Sequence, residues 1–357
     1  MSAEGLVIGG RRVAVDEPTY FVADIAANHD GDLGRAVALV GLAAEAGADA
    51  AKFQHFTAST IVSDAGFRGL GRQGSHQSGW EKSVFEVYED ASVDLGWTSE
   101  LRRACHAAGL AFMTTPYSLE LVDALAPSVD ALKIGSGDIT WTELIAAVAG
   151  KGKPVMLATG AASLDEVRTA MAVLLRATPE VVLMQCNTNY LGTAENLAFV
   201  NLRVLQTYRQ MFPDVVPGLS DHTPGHSAVL GAVALGARVV EKHFTDDPGR
   251  AGPDHAFSMS PAAWREMVSR TRELEMALGS PLKQVEDNER ETVVLQRRCV
   301  RARTPLPAGT VLTRDMLVVL RPCPEGMLPP SALTQVIGRT LTRDLEQEEA
   351  VQWSHFA

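Results

Sequence analysis

Two stretches decide the fold: GLSDHTPGH (residues 218–226) and VVEKHFTDDPGRAGPD (239–254). Each begins as an apolar run and ends in polar residues able to bind a metal or an oxyanion. The two histidines, His222 and His243, lie about twenty residues apart. That spacing suits the last two strands of a (β/α)8 barrel, whose C-terminal strand ends carry the catalytic groups.

Six further runs precede these two. They are YFVADIA (20–26), DAAKFQH (49–55), LAFMTTP (110–116), DALKIGS (130–136), PVMLATG (154–160) and VVLMQC (181–186). Short, apolar and bounded by turn-forming residues, each reads as a buried strand. Helical patterns alternate with them. LGRAVALVGLAAEAG (33–47) has helical apolar spacing and stops at Gly47. SLDEVRTAMAVLLRA (163–177) opens with Ser163 and Glu166 in capping-box spacing, and SPAAWREMVSRTRELEMALG (260–279) repeats the logic. A doubly wound open sheet is the competing fold. It would normally carry a glycine-rich phosphate loop after its first strand, and IAANHDGD (25–32) is not one.

Residues 1–280 therefore read as a barrel with a short N-terminal cap. Within it, residues 56–98 are too long for a plain connection and carry His76, Gln77, Trp80, Lys82 and Tyr88. Long insertions at the active face of a barrel usually shape the site. Residues 281–297 read as a polar linker. Residues 298–357 read as a compact, mostly β domain, with a strand at Val300–Arg303 and a one-turn helix capped by Thr313.

Composition argues for a soluble globular protein, not disorder. Hydrophobic residues make up 46% and charged residues 21%, enough for a large core. The net charge of −11 argues against a general nucleic-acid surface, though lysines can reverse the potential within one pocket. The four cysteines show no CxxC spacing, so neither a zinc knuckle nor a disulfide framework is expected. No run reaches membrane-spanning length, and MSAEGLVIGGRRV at the start lacks a signal-peptide core. The expected location is a reducing cytoplasm, with no membrane partner.

In a barrel the strand ends meet in one pocket. They would bring together Asp24, Lys52, Gln54, Thr114, Thr115, Lys133, Ser136, Asp138, Thr159 and Gly160. Asn187, Thr188, Asn189, Tyr190, Ser220, Asp221, His222, His243, Asp246 and Asp254 would join them. Two lysines with hydroxyls and backbone amides suit a phosphate and a carboxylate. Two imidazoles suit manganese, iron, zinc or cobalt and leave coordination positions open, as a Lewis acid needs. A lone strand-end histidine is commonly structural; a pair at adjacent strand ends favours a metal. A buried lysine without a partner is costly, so Lys52 and Lys133 point to function. Either could instead be the Schiff-base nucleophile of an aldolase acting on pyruvate.

The motifs resemble those of the sialic acid synthases, the enzymes that condense phosphoenolpyruvate with amino sugars to make nonulosonic acids. The matching pieces are ADIAANHDGDLGRA (23–36), EAGADAAKFQHF (45–56), TTPYS (114–118), LKIGSGDIT (132–140), KPVMLATG (153–160), GLSDHT (218–223) and EKHFTDDPGRAGPDHAFSM (241–259). The tail resembles the antifreeze-like SAF domain, with Arg321-Pro322. The resemblance implies a divalent metal on His222 and His243, manganese in the family, with magnesium or cobalt as alternatives. It implies phosphoenolpyruvate contacts at Lys52, Thr115, Lys133, Ser136 and Ser220, and sugar contacts at Gln54, Tyr190 and Asp254. Thr188 joins the substrate-binding set, Asp24 and Asp138 the catalytic one. Arg321 matches an arginine that the family inserts into the partner subunit's site, implying a domain-swapped homodimer.

Several positions depart from the family pattern. Asp24 and Asp138 stand where glutamates are usual, Ala158 replaces a common serine, and CNTNYL (186–191) and RPCPEG (321–326) differ from the usual loops. The implied reaction joins phosphoenolpyruvate to an open-chain N-acylamino sugar. Its rivals are a related phosphoenolpyruvate-dependent 3-deoxy-ulosonate synthase with another aldose acceptor, the pyruvate aldolase, and a non-catalytic carbohydrate-binding barrel.

Overall fold

The structure, a computed structural model, describes residues 5–70, 77 and 80–357. His76, named above, lies outside the described residues. The chain divides into two compact units, Met1–Gly279 and Ser280–Ala357.

The first unit starts with a hairpin of β1 (Leu6–Ile8) and β2 (Arg11–Val13). Eight parallel strands follow: β3 (Tyr20–Asp24), β4 (Ala50–His55), β5 (Ala111–Pro116), β6 (Ala131–Ile134), β7 (Val155–Ala158), β8 (Val181–Cys186), β9 (Val216–Asp221) and β10 (Val239–His243). They close in sequence order, with β10 pairing back onto β3. The (β/α)8 barrel expected from the eight apolar runs is thus the fold.

The runs are apolar throughout because both faces of a barrel strand are buried. Alternate side chains serve different cores. Phe21, Ala51, Phe112, Leu132, Leu157, Leu183, Leu219 and Val240 point outward and pack under the helices. Tyr20, Val22, Ala50, Met113, Met156, Met184, Val216 and Val239 fill the interior. Leu6, Ile8 and Val13 of the hairpin belong to that inner cluster, so the hairpin plugs the N-terminal end. Farther along β3, β4, β6, β9 and β10 the inward positions turn polar: Asp24, Lys52, Gln54, Lys133, Ser220, Glu241 and His243. The plugged end is thus a packed core, and the other end is a polar mouth.

Capping fixes the outer helices. Asp32 accepts from the Arg35 amide to start helix 33–45. Ser163 and Glu166 form a complete capping box on helix 164–177. Ser260 caps helix 261–278, whose Trp264 is fully buried edge-on to Phe244, with ring centroids 5.5 Å apart. The described residues of the 56–98 segment include short helices at 58–61, 64–69 and 84–90 and a 3₁₀ turn at 95–97.

In the second unit β11 (Cys299–Ala302) pairs antiparallel with β12 (Leu317–Leu320). Val300, Leu312, Leu317, Val336, Leu341 and Val351 form its core. Thr313 precedes a one-turn 3₁₀ helix at 314–316 that leads into β12. Among the described residues no helix is long and apolar enough to cross a membrane.

Candidate active site

Strand register builds the site. Asp24 is level with both Lys52 on β4 and His243 on β10. Lys52 Nζ donates to Asp24 Oδ2 at 2.7 Å and to Thr115 Oγ1 at 3.3 Å. Gln54 Nε2 donates to the same Asp24 oxygen at 3.0 Å, and the Ala26 amide to the other at 3.1 Å. Burial alone would raise the Asp24 pKa; the adjoining ammonium outweighs it and holds the carboxyl below its usual range. The converse holds for Lys52, which Asp24 keeps above its ordinary value despite burial.

A second buried pair spans the mouth from β6 to β10. Lys133 Nζ donates to Glu241 Oε1 at 2.5 Å, and Ser220 Oγ donates to the same oxygen at 3.1 Å. Burial works to raise Glu241, but Lys133 and Lys52 bring it down. Its second oxygen, Oε2, is buried with no hydrogen-bond partner.

The two imidazoles, at the end of β10 and just after β9, have ring centroids 5.4 Å apart. His222 Nδ1 donates to the Asn187 carbonyl at 2.9 Å, which leaves the lone pair on Nε2. A backbone carbonyl holding the remote nitrogen is the usual support for a metal-binding histidine. Burial pushes His243 down to about 3, against the pull of Asp24, so the ring is neutral. Its Nδ1 is buried without a hydrogen-bond partner, and Nε2 lies 3.6 Å from Asp24. For His222, burial is outweighed by contact with the Cys186 thiol, and its pKa rises. No group of three or more metal-binding side chains occurs among the described residues. The residues fit a divalent cation held by two imidazoles, with its other positions left to substrate and water.

Ser136 and Asp138 form a 3₁₀ turn just after β6. Ser136 Oγ accepts from the Gly160 amide at 2.9 Å. Burial raises Asp138 to about 6, and its Oδ2 has no hydrogen-bond partner. Asp254 accepts from the Ala27 amide at 3.0 Å and lies 4.0 Å from His243 Nδ1; burial raises it too, to about 6. Its loop is anchored by Arg250 and His255, both bonded to Asp30. The Tyr190 ring lies tilted against His222, with centroids 4.3 Å apart.

Gly160 is small for a reason. A Cβ there would come within 2.6 Å of the Thr188 methyl, 2.9 Å of Ser136 Oγ and 3.1 Å of Cys186 Sγ. The backbone thus reaches the pocket wall beside Thr188 and Ser136. Gly160→Ala is expected to displace both groups and raise the KM for an anionic substrate at least about tenfold, consistent with roughly 1.4 kcal/mol of lost contact. Steady-state kinetics of the variant check this.

Of the strand-end residues singled out from the sequence, those on inward positions converge. Asp221, Asp246, Thr114 and Thr159 do not. Asp221 faces outward and accepts from Lys242 Nζ at 2.5 Å. Asp246 is tied up by Arg35, whose nitrogens donate at 2.6 and 2.9 Å. Thr114 bonds His55, and Thr159 accepts from Tyr208. Each sits one residue out of phase with the inward set, except Asp246, which lies beyond the strand. Arg321 belongs to the second unit, where it is exposed. Glu241 is the residue that sequence reading missed. The signal was present: Lys133 needed a buried counter-charge, and Glu241 shares the inward phase of His243.

Comparison with known proteins places this geometry. Residues 39–283 match the NeuB family. This chain belongs to the NeuB family. Residues 297–357 match the SAF domain. The chain is 34% identical to the N,N'-diacetyllegionaminic acid synthase of Legionella pneumophila, over 94% of each chain. It is 32% identical to the human N-acetylneuraminate-9-phosphate synthase, over 96% of this chain and 94% of that one. Among solved structures, the N-acetylneuraminic acid synthetase of Leptospira borgpetersenii superposes with a TM-score of 0.71 at 27% identity, covering 82% of this chain and 96% of that one. The NeuB-family barrel and the SAF domain together account for nearly the whole chain.

Proposed function

We propose that this NeuB-family protein condenses phosphoenolpyruvate with the open-chain form of an N-acylamino sugar, giving a nonulosonic acid and inorganic phosphate. One observation carries the reading. Two buried lysines, each paired with a buried carboxylate, share the barrel mouth with a pair of imidazoles. Relatives named as synthases of N-acetylneuraminate 9-phosphate and diacetyllegionaminic acid support it.

In this reading Lys52 and Lys133, with Thr115, Ser136, Thr188 and Ser220, hold the donor's phosphate and carboxylate. Gln54, Tyr190 and Asp254 hold the acceptor, and Asp24 fixes both Lys52 and Gln54. A divalent cation on His222 and His243, manganese in this proposal, would act as a Lewis acid toward the aldehyde oxygen. The donor's C3 attacks the aldehyde carbon, leaving positive charge at C2. Asp138 takes a proton from water as the water oxygen bonds to C2. The C2–O bond to phosphate then breaks: phosphate leaves with the bridging oxygen and takes the C2 hydroxyl's proton, C2 becomes a ketone, and the proton taken by Asp138 passes to the alkoxide formed from the aldehyde oxygen. The domain-swapped homodimer implied by the sequence resemblance, with Arg321 of the partner subunit as a further substrate contact, belongs to the same proposal. So does the cytoplasmic location.

The aldolase rival needs an unprotonated lysine. Asp24 holds Lys52 in the opposite state, and Glu241 pairs with Lys133. Donor labelled with ¹⁸O at the bridging position separates the two. Label recovered in phosphate supports condensation; phosphate-independent turnover with pyruvate, trapped by borohydride, overturns it.

The base role sets a pH dependence. Asp138 is raised to about 6, so the reactive carboxylate is lost as pH falls through that value. The rate with saturating substrates should fall tenfold per unit below about pH 6. Asp138→Asn should abolish that limb and cost on the order of 10²–10⁴-fold, the usual worth of a general base. Asp254 titrates near the same pH. Asp254→Asn must therefore retain the limb if Asp138 is the base.

A further inference from the structure

His243 is the last residue of β10, paired in register with Asp24, so the sheet itself places it. His222 lies one residue past the end of β9, and its place depends on its neighbours. Two of them come from one short stretch after β8. The Asn187 carbonyl accepts from His222 Nδ1, and the Tyr190 ring lies against the imidazole. A ladder of three asparagine side chains holds that stretch. Asn187 Oδ1 accepts from the Asn189 amide at 3.2 Å, and Asn187 Nδ2 donates to the Phe199 carbonyl at 3.3 Å, tying the two ends of the loop. Asn189 Oδ1 accepts from the Leu191 amide at 3.0 Å, which closes a turn around Tyr190. Asn196 is buried, and its Nδ2 donates to both Asn189 oxygens, the carbonyl at 3.2 Å and Oδ1 at 3.1 Å. Gly192 then brings the backbone close to Phe257: a Cβ at this positive-φ position would come within 2.9 Å of the Phe257 Cβ. The Phe257 ring in turn borders both histidines.

Each amide in the ladder is used in one sense. Asn187 must both donate and accept, Asn189 only accepts through its side chain, and Asn196 only donates. We propose that Asn187, Asn189 and Asn196 are positioning residues for His222. They hold the Asn187 carbonyl and the Tyr190 ring on the imidazole, and so set the affinity of the cation site without ligating the cation. The inference rests on the metal reading proposed above.

The test titrates manganese alone into the full-length protein and follows binding by spin resonance. Asn187→Ala removes both side-chain bonds and should weaken binding about tenfold, the lower end of what support of a metal-binding histidine is worth. Asn196→Asp turns the buried donor into an acceptor facing two others and should weaken binding at least as much. Asn189→Asp keeps the acceptor and should bind within about twofold of the unsubstituted protein. The two aspartate variants add the same charge to the same loop, so charge does not explain a difference between them. Unchanged binding in Asn187→Ala and Asn196→Asp overturns the inference and leaves the metal reading standing. Equal loss in the two aspartate variants also overturns it. Should Asn196→Asp fail to give a cooperative melt, Asn187→Ala and Asn189→Asp decide the question by themselves. An unsubstituted protein that binds no manganese overturns the metal reading and this inference together.

Discussion

Stripping divalent cations from the protein should abolish phosphate release, and manganese should restore it. The charges at the barrel mouth give the reason. Lys52 and Lys133 are matched by Asp24 and Glu241, so the two pairs together contribute no net positive charge. A polyanionic donor needs a further cation, and the two imidazoles are where one can bind. A Lewis acid there is worth several kcal/mol. At about 1.4 kcal/mol per tenfold, its removal costs on the order of 10³-fold or more. His222→Ala and His243→Ala should each reproduce the loss. They should also weaken manganese binding in a spin-resonance titration, a readout independent of turnover. Because contact with Cys186 raises the His222 pKa, metal binding there should displace protons. Full activity in metal-free protein would remove the Lewis acid from the mechanism.

The barrel was legible in the sequence because burial on both strand faces leaves short continuous apolar runs that alternate with helical patterns. The site was legible only where one phase of a strand could be told from the other. In ARVVEKHF (237–244) three polar residues are consecutive, and the pattern alone does not say which face inward. Register decides it. Glu241 and His243 point into the mouth, while Lys242 points out to Asp221 and the Thr223 carbonyl. That outer pair sits beside both histidines in sequence, which is why Asp221 reads as a site residue in one dimension. The partner of Lys133 lies 108 residues away, across the barrel, and no local pattern connects them. The N-terminal hairpin is similar: LVI and RRV are too short for periodicity, and their role as a plug comes from the inner cluster they join.

The Lys133–Glu241 pair carries the second large effect, and it separates folding from chemistry. Lys133→Met should leave the Glu241 carboxylate buried, with Ser220 and the more distant Lys52 as its remaining partners. Breaking a buried pair on one side costs about 3–5 kcal/mol. For a unit of this size that is roughly a 10 °C fall in melting temperature. Lys133→Met with Glu241→Leu removes both charges and should recover much of the stability, since apolar replacements of buried pairs are often neutral. Turnover should not return, because the donor has lost an ammonium that nothing in the double variant replaces. Thermal melts and phosphate-release assays on the two variants give both answers. A double variant that regained stability and activity together would make Lys133 a structural residue. The donor's anionic groups would then have to be held by Lys52, the hydroxyls and the cation alone.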